Sequence, residues 1–345
     1  MPFRIYFIMI KATVDLKKID FNVGEIKKLI GDKKFCAVVK SNAYGHGKEK
    51  VADRLNDKVD FFAVSSIAEG VELRLSGIDK PVLVLMPDKD IDRALFYNVT
   101  TSICSFKQFI TVRNVAKRIG KTAYVHIKYD TGMNRFGIQN EKELQAILLN
   151  AKISGCVEVT GIYSHLYNPV NEQSAKRQLM KFVLPCKLTK RIFPDAVRHI
   201  SASGGTLLGK LYHLDMVRIG LMIYGYTPFE TSKITLKKCM EINSSVLDVK
   251  TLNKNQPFLY GDFKTNFCGK VSLVEGGYAD GVRYDFKTAV NRSCMNVFAV
   301  NGEKEYTYAI LNEERNADVL AKENGTIPYE ILCALTRNAK YEYLV

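Results

Sequence analysis

Phe35-Cys-Ala-Val-Val-Lys40-Ser-Asn-Ala-Tyr44-Gly-His-Gly47 decides the fold. An apolar run reads as a strand, a lysine stops it, and a glycine-punctuated turn follows. Outward from this stretch the pattern repeats. Short β-branched or apolar runs recur at Phe61–Ser65, Pro81–Met86, Thr100–Ser105, Thr122–Asp130, Val157–His165, Val197–Ser203 and Met216–Tyr224. Amphipathic, helix-prone segments lie between them, at Lys48–Leu55, Ile67–Leu75, Lys107–Arg118, Glu141–Asn150 and Glu172–Lys190. Strands alternating with helices predict parallel βαβ units. With the run at Phe35–Lys40 there are eight, which predicts an α/β fold of the (β/α)8 TIM-barrel type over about residues 15–228.

Beyond Tyr226 the rhythm changes. Ile242–Val249, Gly269–Val274 and Cys294–Val300 read as strands separated by turns, without long helices. A C-terminal, mostly β-strand domain is therefore expected over 229–345. The apolar stretch Ile5–Val14 precedes the first barrel helix, and residues 1–14 are expected to supply a strand to that β domain.

A chain of 345 residues, 47% of them hydrophobic and 25% charged, can bury a large core without disulfides. Its eight cysteines stand singly, with no C-x-x-C pair, so no metal site is expected and reduced thiols of a cytoplasmic protein are. Ile5 to Ile10 is too short for a signal-peptide core or a membrane span. The net charge of +14 is dispersed, with no long basic run and no glycine–aromatic RNA-binding signature. Nucleic-acid and membrane partners are therefore not expected, whereas an anionic small molecule would be steered in.

Polar residues collect where barrel strands end, the rim on which such barrels build active sites. Lys40 closes the first strand, His165 the sixth and Ser203 the seventh, while Arg218 and Gly220 lie in the eighth. A lysine desolvated at a barrel mouth has a lowered pKa, and its amine can attack a carbonyl. Tyr44, four residues on, can donate a hydrogen bond to an anion.

The octapeptide Lys40–Gly47 closely resembles the pyridoxal 5'-phosphate (PLP) attachment motif of alanine racemases. The resemblance continues through Lys128-Tyr-Asp-Thr-Gly-Met-Asn-Arg135-Phe-Gly137, Gly161-Ile-Tyr-Ser-His165, Met216-Val-Arg218-Ile-Gly220-Leu221, Tyr260-Gly261 and Gly277-Tyr278-Ala-Asp-Gly281. It implies a PLP-dependent isomerase that interconverts L- and D-alanine and supplies D-alanine for peptidoglycan. It further implies Lys40 as the cofactor-bearing amine and one base, Tyr260 as the base on the opposite face of the substrate Cα, and Arg218 opposite the pyridine nitrogen. A tyrosine, ordinarily of pKa near ~10, needs cationic neighbours to act as a base, and His165 and Arg218 are expected to supply that field.

The resemblance places the PLP phosphate against Tyr44, Ser203 and the N–H groups near Gly204, Gly220 and Leu221, with His165 also near the cofactor. It places the substrate against Arg135 and, from the partner subunit of a homodimer, Tyr278 and Met295. Lys128 sits where many family members carry a carbamylated lysine that orients the arginine. The chain departs from the family in a short segment between Arg283 and Met295, in Asn296 after the methionine, in Ala202 before the serine, and in Arg337 where a phosphate-contacting tyrosine can occur.

The amino acid itself stays open, with serine or lysine racemisation as alternatives to alanine. A PLP-dependent decarboxylase on a similar barrel normally sets an acidic group at the pyridine nitrogen, which Arg218 and Tyr260 disfavour. A PLP-binding protein of reduced or no activity is the remaining alternative, motivated by the shortened C-terminal region.

Overall fold

The computed structural model describes residues 10–282 and 293–345. The chain divides into two compact units, one of residues 20–43 and 48–236, the other of residues up to 19, 44–47 and 237–345.

The strands are β1 (Lys11–Asp15), β2 (Lys34–Val38), β3 (Phe61–Val64), β4 (Val82–Val84), β5 (Thr101–Ile103), β6 (Ala123–Lys128), β7 (Val157–Tyr163), β8 (Val197–His199) and β9 (Met216–Ile219). Then follow β10 (Met240–Leu252), β11 (Gly269–Glu275), β12 (Val297–Asn301), β13 (Thr307–Leu311) and β14 (Lys340–Leu344).

In the first unit every neighbouring pair is parallel: β4-β3-β2-β9 form one run and β5-β6-β7-β8 the other. Two seams join them. Val84 N–H donates to Thr100 O at 2.9 Å, and Arg218 N–H donates to Ser201 O at 3.0 Å. The eight strands β2–β9 thus close into a barrel, and each of β2–β8 is followed by a helix that carries the chain back to the start of the next strand. The helices follow the sequence signals. Ser66, Ser105, Asn140 and Asn171 cap the helices Ile67–Leu75, Phe106–Ile119, Glu141–Ser154 and Glu172–Ile192 by accepting backbone N–H groups. Gly120 and Gly155 end two of them in the left-handed conformation.

In the second unit the sheet order is β12-β11-β10-β1-β14, with β13 also on β10. β1 runs antiparallel to β10 and parallel to β14. β10 serves two sets of partners by shifting register between Ile242 and Asn243 and between Val246 and Asp248. The part of the expected strand at residues 5–9 lies outside the described residues, as does 283–292, which includes Arg283.

The C-terminal region is mostly β-strand as expected, and two short helices, Ala317–Glu323 and Pro328–Leu335, stand among its strands. Their signals are local and easily passed over. Asn316 caps the first by accepting from Asp318 N–H, and Pro328 opens the second.

Candidate active site

The lysine expected to close the first barrel strand sits two residues past its end. β2 stops at Val38, Val39 N–H still donates to Ala63 O at 2.9 Å, and Lys40 opens the short helix Lys40–Gly45. That turn is left-handed: Ser41, Asn42, Ala43 and Tyr44 have φ of 52, 54, 56 and 52°. For non-glycine residues this conformation costs roughly 1–2 kcal/mol each, so neighbouring groups must hold it. Ser41 N–H donates to Glu69 Oε1 at 2.6 Å, and Glu69 Oε2 accepts from Ser65 N–H at 2.8 Å and Ser65 Oγ at 2.6 Å. Asn42 Oδ1 accepts from Lys48 N–H at 2.8 Å. The strain is stored next to the one lysine the motif singles out.

Arg218, in β9, is buried inside the barrel. Its Nη1 donates to His199 Nδ1 at 2.7 Å, and its Nη2 donates to Ser164 O at 2.7 Å and Ile200 O at 3.3 Å. His165 Nδ1 lies 3.5 Å from Nη2, and the guanidinium carbon sits 5.1 Å from the centroid of the Tyr163 ring. His199 stacks on Tyr163 with centroids 5.0 Å apart and contacts His126, whose Nδ1 is 2.9 Å from His199 Nε2. Tyr163 Oη pairs with Ser102 Oγ at 2.7 Å and donates to Leu85 O at 3.0 Å.

Burial, reinforced by the charge of Arg218, pushes His126 and His165 down to about 3 and His199 well below its ordinary value. His165 is therefore neutral near pH 7. This corrects the expectation that it is itself cationic. The positive field at His165 comes from Arg218, Arg135, Lys128 and Lys40, in that order of effect. Lys128 ends β6, 5.4 Å from the Tyr163 centroid and 5.6 Å from that of Phe136. Burial, then the charges of Arg135 and Arg218, lower it to about 8 against the opposing influence of Cys104 and Asp130. Asp130 shapes the following loop by accepting from Gly132 and Met133 N–H, each at 2.9 Å, and Arg135 is exposed.

The remaining barrel residues lie at the ends of β8 and β9. Ser203 is buried and opens the helix Ser203–Leu208, and Gly204 is packed so closely that a Cβ there would stand 2.5 Å from Pro169 Cγ. Gly220 and Leu221 are buried where β9 gives way to the 3-10 turn Leu221–Tyr224. Tyr224 Oη donates to Val38 O at 3.1 Å, tying that turn to the end of β2.

In the second unit, Tyr44 packs against Tyr329 with ring centroids 5.3 Å apart. Gly45 has φ of 82° and lies against Leu332 O and Thr336, so a side chain there would be strained and would clash. Tyr260 is 75% exposed and follows Leu259, which has φ of 59°. Tyr278 N–H donates to Cys294 O and Ala279 N–H to Met295 O, each at 3.1 Å. Tyr278 and Met295 are thereby brought side by side, and both are more than half exposed.

Lys40, Lys128, Arg135, His165 and Arg218 thus share one electrostatic neighbourhood, and Tyr278 meets Met295. Sequence reasoning missed His126, Tyr163, His199, Glu69 and Tyr329. Four cations around one neutral histidine suit an anionic cofactor and a substrate carboxylate. Among the described residues no group of three or more His, Cys, Asp or Glu side chains could hold a metal ion.

Known proteins resemble this chain over nearly its whole length. The family model for the alanine racemase N-terminal domain matches residues 14–228, and that for the C-terminal domain matches residues 239–343. Alanine racemase 2 of Caldanaerobacter subterraneus subsp. tengcongensis is 32% identical over 97% of this chain and 94% of its own length. Alanine racemase of Clostridium tetani is 30% identical over 96% of this chain and 95% of its own. The solved structure of the alanine racemase of Clostridium difficile 630 superimposes with a TM-score of 0.92 at 28% identity, covering 98% of this chain and 96% of that one.

Proposed function

The chain belongs to the alanine racemase family, and from that premise we propose how its residues divide the work of interconverting L-alanine and D-alanine with pyridoxal 5'-phosphate. The D-alanine serves peptidoglycan synthesis, as the family's role implies. When bound, the cofactor supplies an aldehyde that captures amines and an electron-withdrawing ring that acidifies the substrate's Cα–H. Lys40 would be the amine that holds it and would serve as the base on one face of Cα. Tyr260 is the base on the other face. Racemisation requires removal of the proton on one side and its return on the other, which two flanking bases provide.

Arg218 would face the ring nitrogen as a hydrogen-bond donor. Because guanidinium does not give up its proton, it would leave that nitrogen unprotonated and the ring a moderate electron sink, which suits proton exchange without side reactions. His165, neutral and beside Arg218, relays that charge's field toward the phenol. Tyr44, Ser203 and the N–H groups of Gly204, Gly220 and Leu221 would hold the phosphate, and Tyr329 packs against Tyr44. Arg135 takes the substrate carboxylate and is oriented by Lys128 as a carbamate. Tyr278 and Met295, exposed together, reach the substrate of a second copy, so the working enzyme is a homodimer in the cytoplasm. Among the described residues no helix is long and apolar enough to cross a membrane.

The observation that carries this assignment is Arg218, buried inside the barrel with its Nη2 3.5 Å from Nδ1 of neutral His165. It is tested by incubating the purified protein and PLP with a panel of L-amino acids in deuterated water and following α-hydrogen exchange. L-alanine is expected to exchange fastest and to yield D-alanine. Preference for serine or lysine reassigns the substrate, and borohydride reduction with PLP that leaves position 40 unlabelled overturns the site.

A further inference from the structure

We propose that His126, buried in β6 two residues before its end, is a positioning residue that fixes the tautomer of His199 and through it the aim of Arg218. The inference rests on the role proposed for Arg218, but its first test does not.

The proton positions along this chain follow from one end. Arginine has only donors, so the 2.7 Å contact from Arg218 Nη1 requires a lone pair on His199 Nδ1. His199 is fully buried and uncharged, so its single proton is on Nε2. That Nε2–H points at His126 Nδ1, 2.9 Å away, which must then accept. His126 is uncharged too, so its own proton is on Nε2. That atom is fully buried and has no hydrogen-bond partner among the described residues. The chain therefore reads Arg218 → His199 → His126, with every proton directed away from the arginine.

Packing holds the rings in this order. A Cβ on Gly161 would lie 2.6 Å from His126 Cε1 and 2.7 Å from both ring nitrogens, so the absent side chain makes the seat of the imidazole. Phe61 tilts against one side of His126, with centroids 6.2 Å apart, and His199 meets it edge-on at 5.0 Å. Tyr163 stacks on His199 at 9°. An acceptor at position 126 lets His199 keep Nδ1 open for Arg218. Without it, the His199 Nε2–H is left buried and unpaired, and the ring gains by turning away from the guanidinium.

The test begins on cofactor-free protein with 15N-labelled histidine. Long-range 15N–1H spectra are expected to show both His126 and His199 as the neutral Nε2–H tautomer throughout the neutral range. An Nδ1–H tautomer at either residue overturns the proposal, whatever Arg218 does to the cofactor. Three variants of the PLP-loaded enzyme then separate positioning from space filling. His126→Phe removes the acceptor and fills the seat, and is expected to lower kcat about tenfold, the factor one lost hydrogen bond supplies, with KM little changed. His126→Asn keeps an acceptor oxygen and is expected to restore kcat to within about threefold. Gly161→Ala displaces the imidazole and is expected to resemble His126→Phe. A purely structural role predicts the reverse order, with Phe tolerated and Asn harmful, and that order overturns the proposal.

Discussion

Replacing Glu69 with alanine should release the strained turn behind Lys40. The carboxylate accepts three hydrogen bonds, from Ser41 N–H, Ser65 N–H and Ser65 Oγ. A bond to a charged acceptor contributes about 1.5–3 kcal/mol when well buried. Glu69 is half-buried and water can replace part of the set, so the expected net loss is about 2–3 kcal/mol. At roughly 2–4 °C per kcal/mol, that is a fall in Tm of about 4–12 °C. The local effect is larger than the global one. Four residues at φ of 52–56° store roughly 1–2 kcal/mol each, and the first of them loses its backbone anchor. Once free, the segment gains by returning to right-handed conformations, which carries Lys40 away from its position. Differential scanning calorimetry reads the first effect, and borohydride-trapped PLP on Lys40, quantified by peptide mass spectrometry, reads the second. Glu69→Gln, which keeps one acceptor oxygen, should fall between. A Glu69→Ala protein that melts within about 1 °C of the parent and labels fully at Lys40 would refute the role of the carboxylate in holding the turn.

Three further outcomes are expected. Tyr260→Phe should keep the fold and the cofactor, since the side chain is 75% exposed, yet slow racemisation by about 10²–10⁴-fold, chiefly from the L side; normal polarimetric rates would remove Tyr260 from the mechanism. His126 and His165 titrate at about 3 in the folded state against 6.5 when exposed, so the unfolded chain binds more protons between those values. Their contribution to stability is therefore present above pH 6.5 and is lost as pH falls toward 3, and urea midpoints should drop steeply over that window; a flat profile counts against neutral buried imidazoles. Lys128, at about 8 rather than 10.5, is largely a free amine above pH 8. With 13C-bicarbonate it should give a carbamate signal that grows through pH 8 and vanishes in Lys128→Ala, while a spectrum without that signal removes the carbamate from the site.

Much of the barrel was legible because its cause is periodic. Lys48–Leu55 and Ile67–Leu75 are helices over the very residues their amphipathic pattern marks, since each has one face to bury. Strand ends were less legible. The apolar run through Val39 suggested that the strand continues to Lys40, but β2 ends at Val38 because the backbone turns left-handed at Ser41, and nothing in Ser-Asn-Ala-Tyr dictates that conformation locally. It is imposed by Glu69, 28 residues further on, a tertiary contact no local window contains. The helices at Ala317–Glu323 and Pro328–Leu335 were missed for another reason: each is short, so its cap carries more signal than its periodicity.

The site divides along the same line. Lys40, His165 and Arg218 stand out because a charged or ionisable group interrupts or ends an apolar strand. His126, Tyr163 and His199 do not, since each lies within a run that also reads as ordinary barrel core. Strand parity recovers them. Successive side chains of a strand alternate between barrel interior and helix layer. If Lys128 faces inward from β6, so does His126 two residues earlier, and if His165 continues β7, then Tyr163 and Gly161 share its side. Gly161 is then explained: a glycine on the inward face of a strand otherwise rich in β-branched residues marks a place where something large must fit, and the His126 ring fills it. The polar interior is therefore linked across strands. Lys128, Tyr163 and His199 stand in register at the ends of β6, β7 and β8, and His126 lies two residues before Lys128. A change at position 126 reaches Arg218 through the hydrogen bonds of His199, which is why Asn and Phe there should differ although both fit.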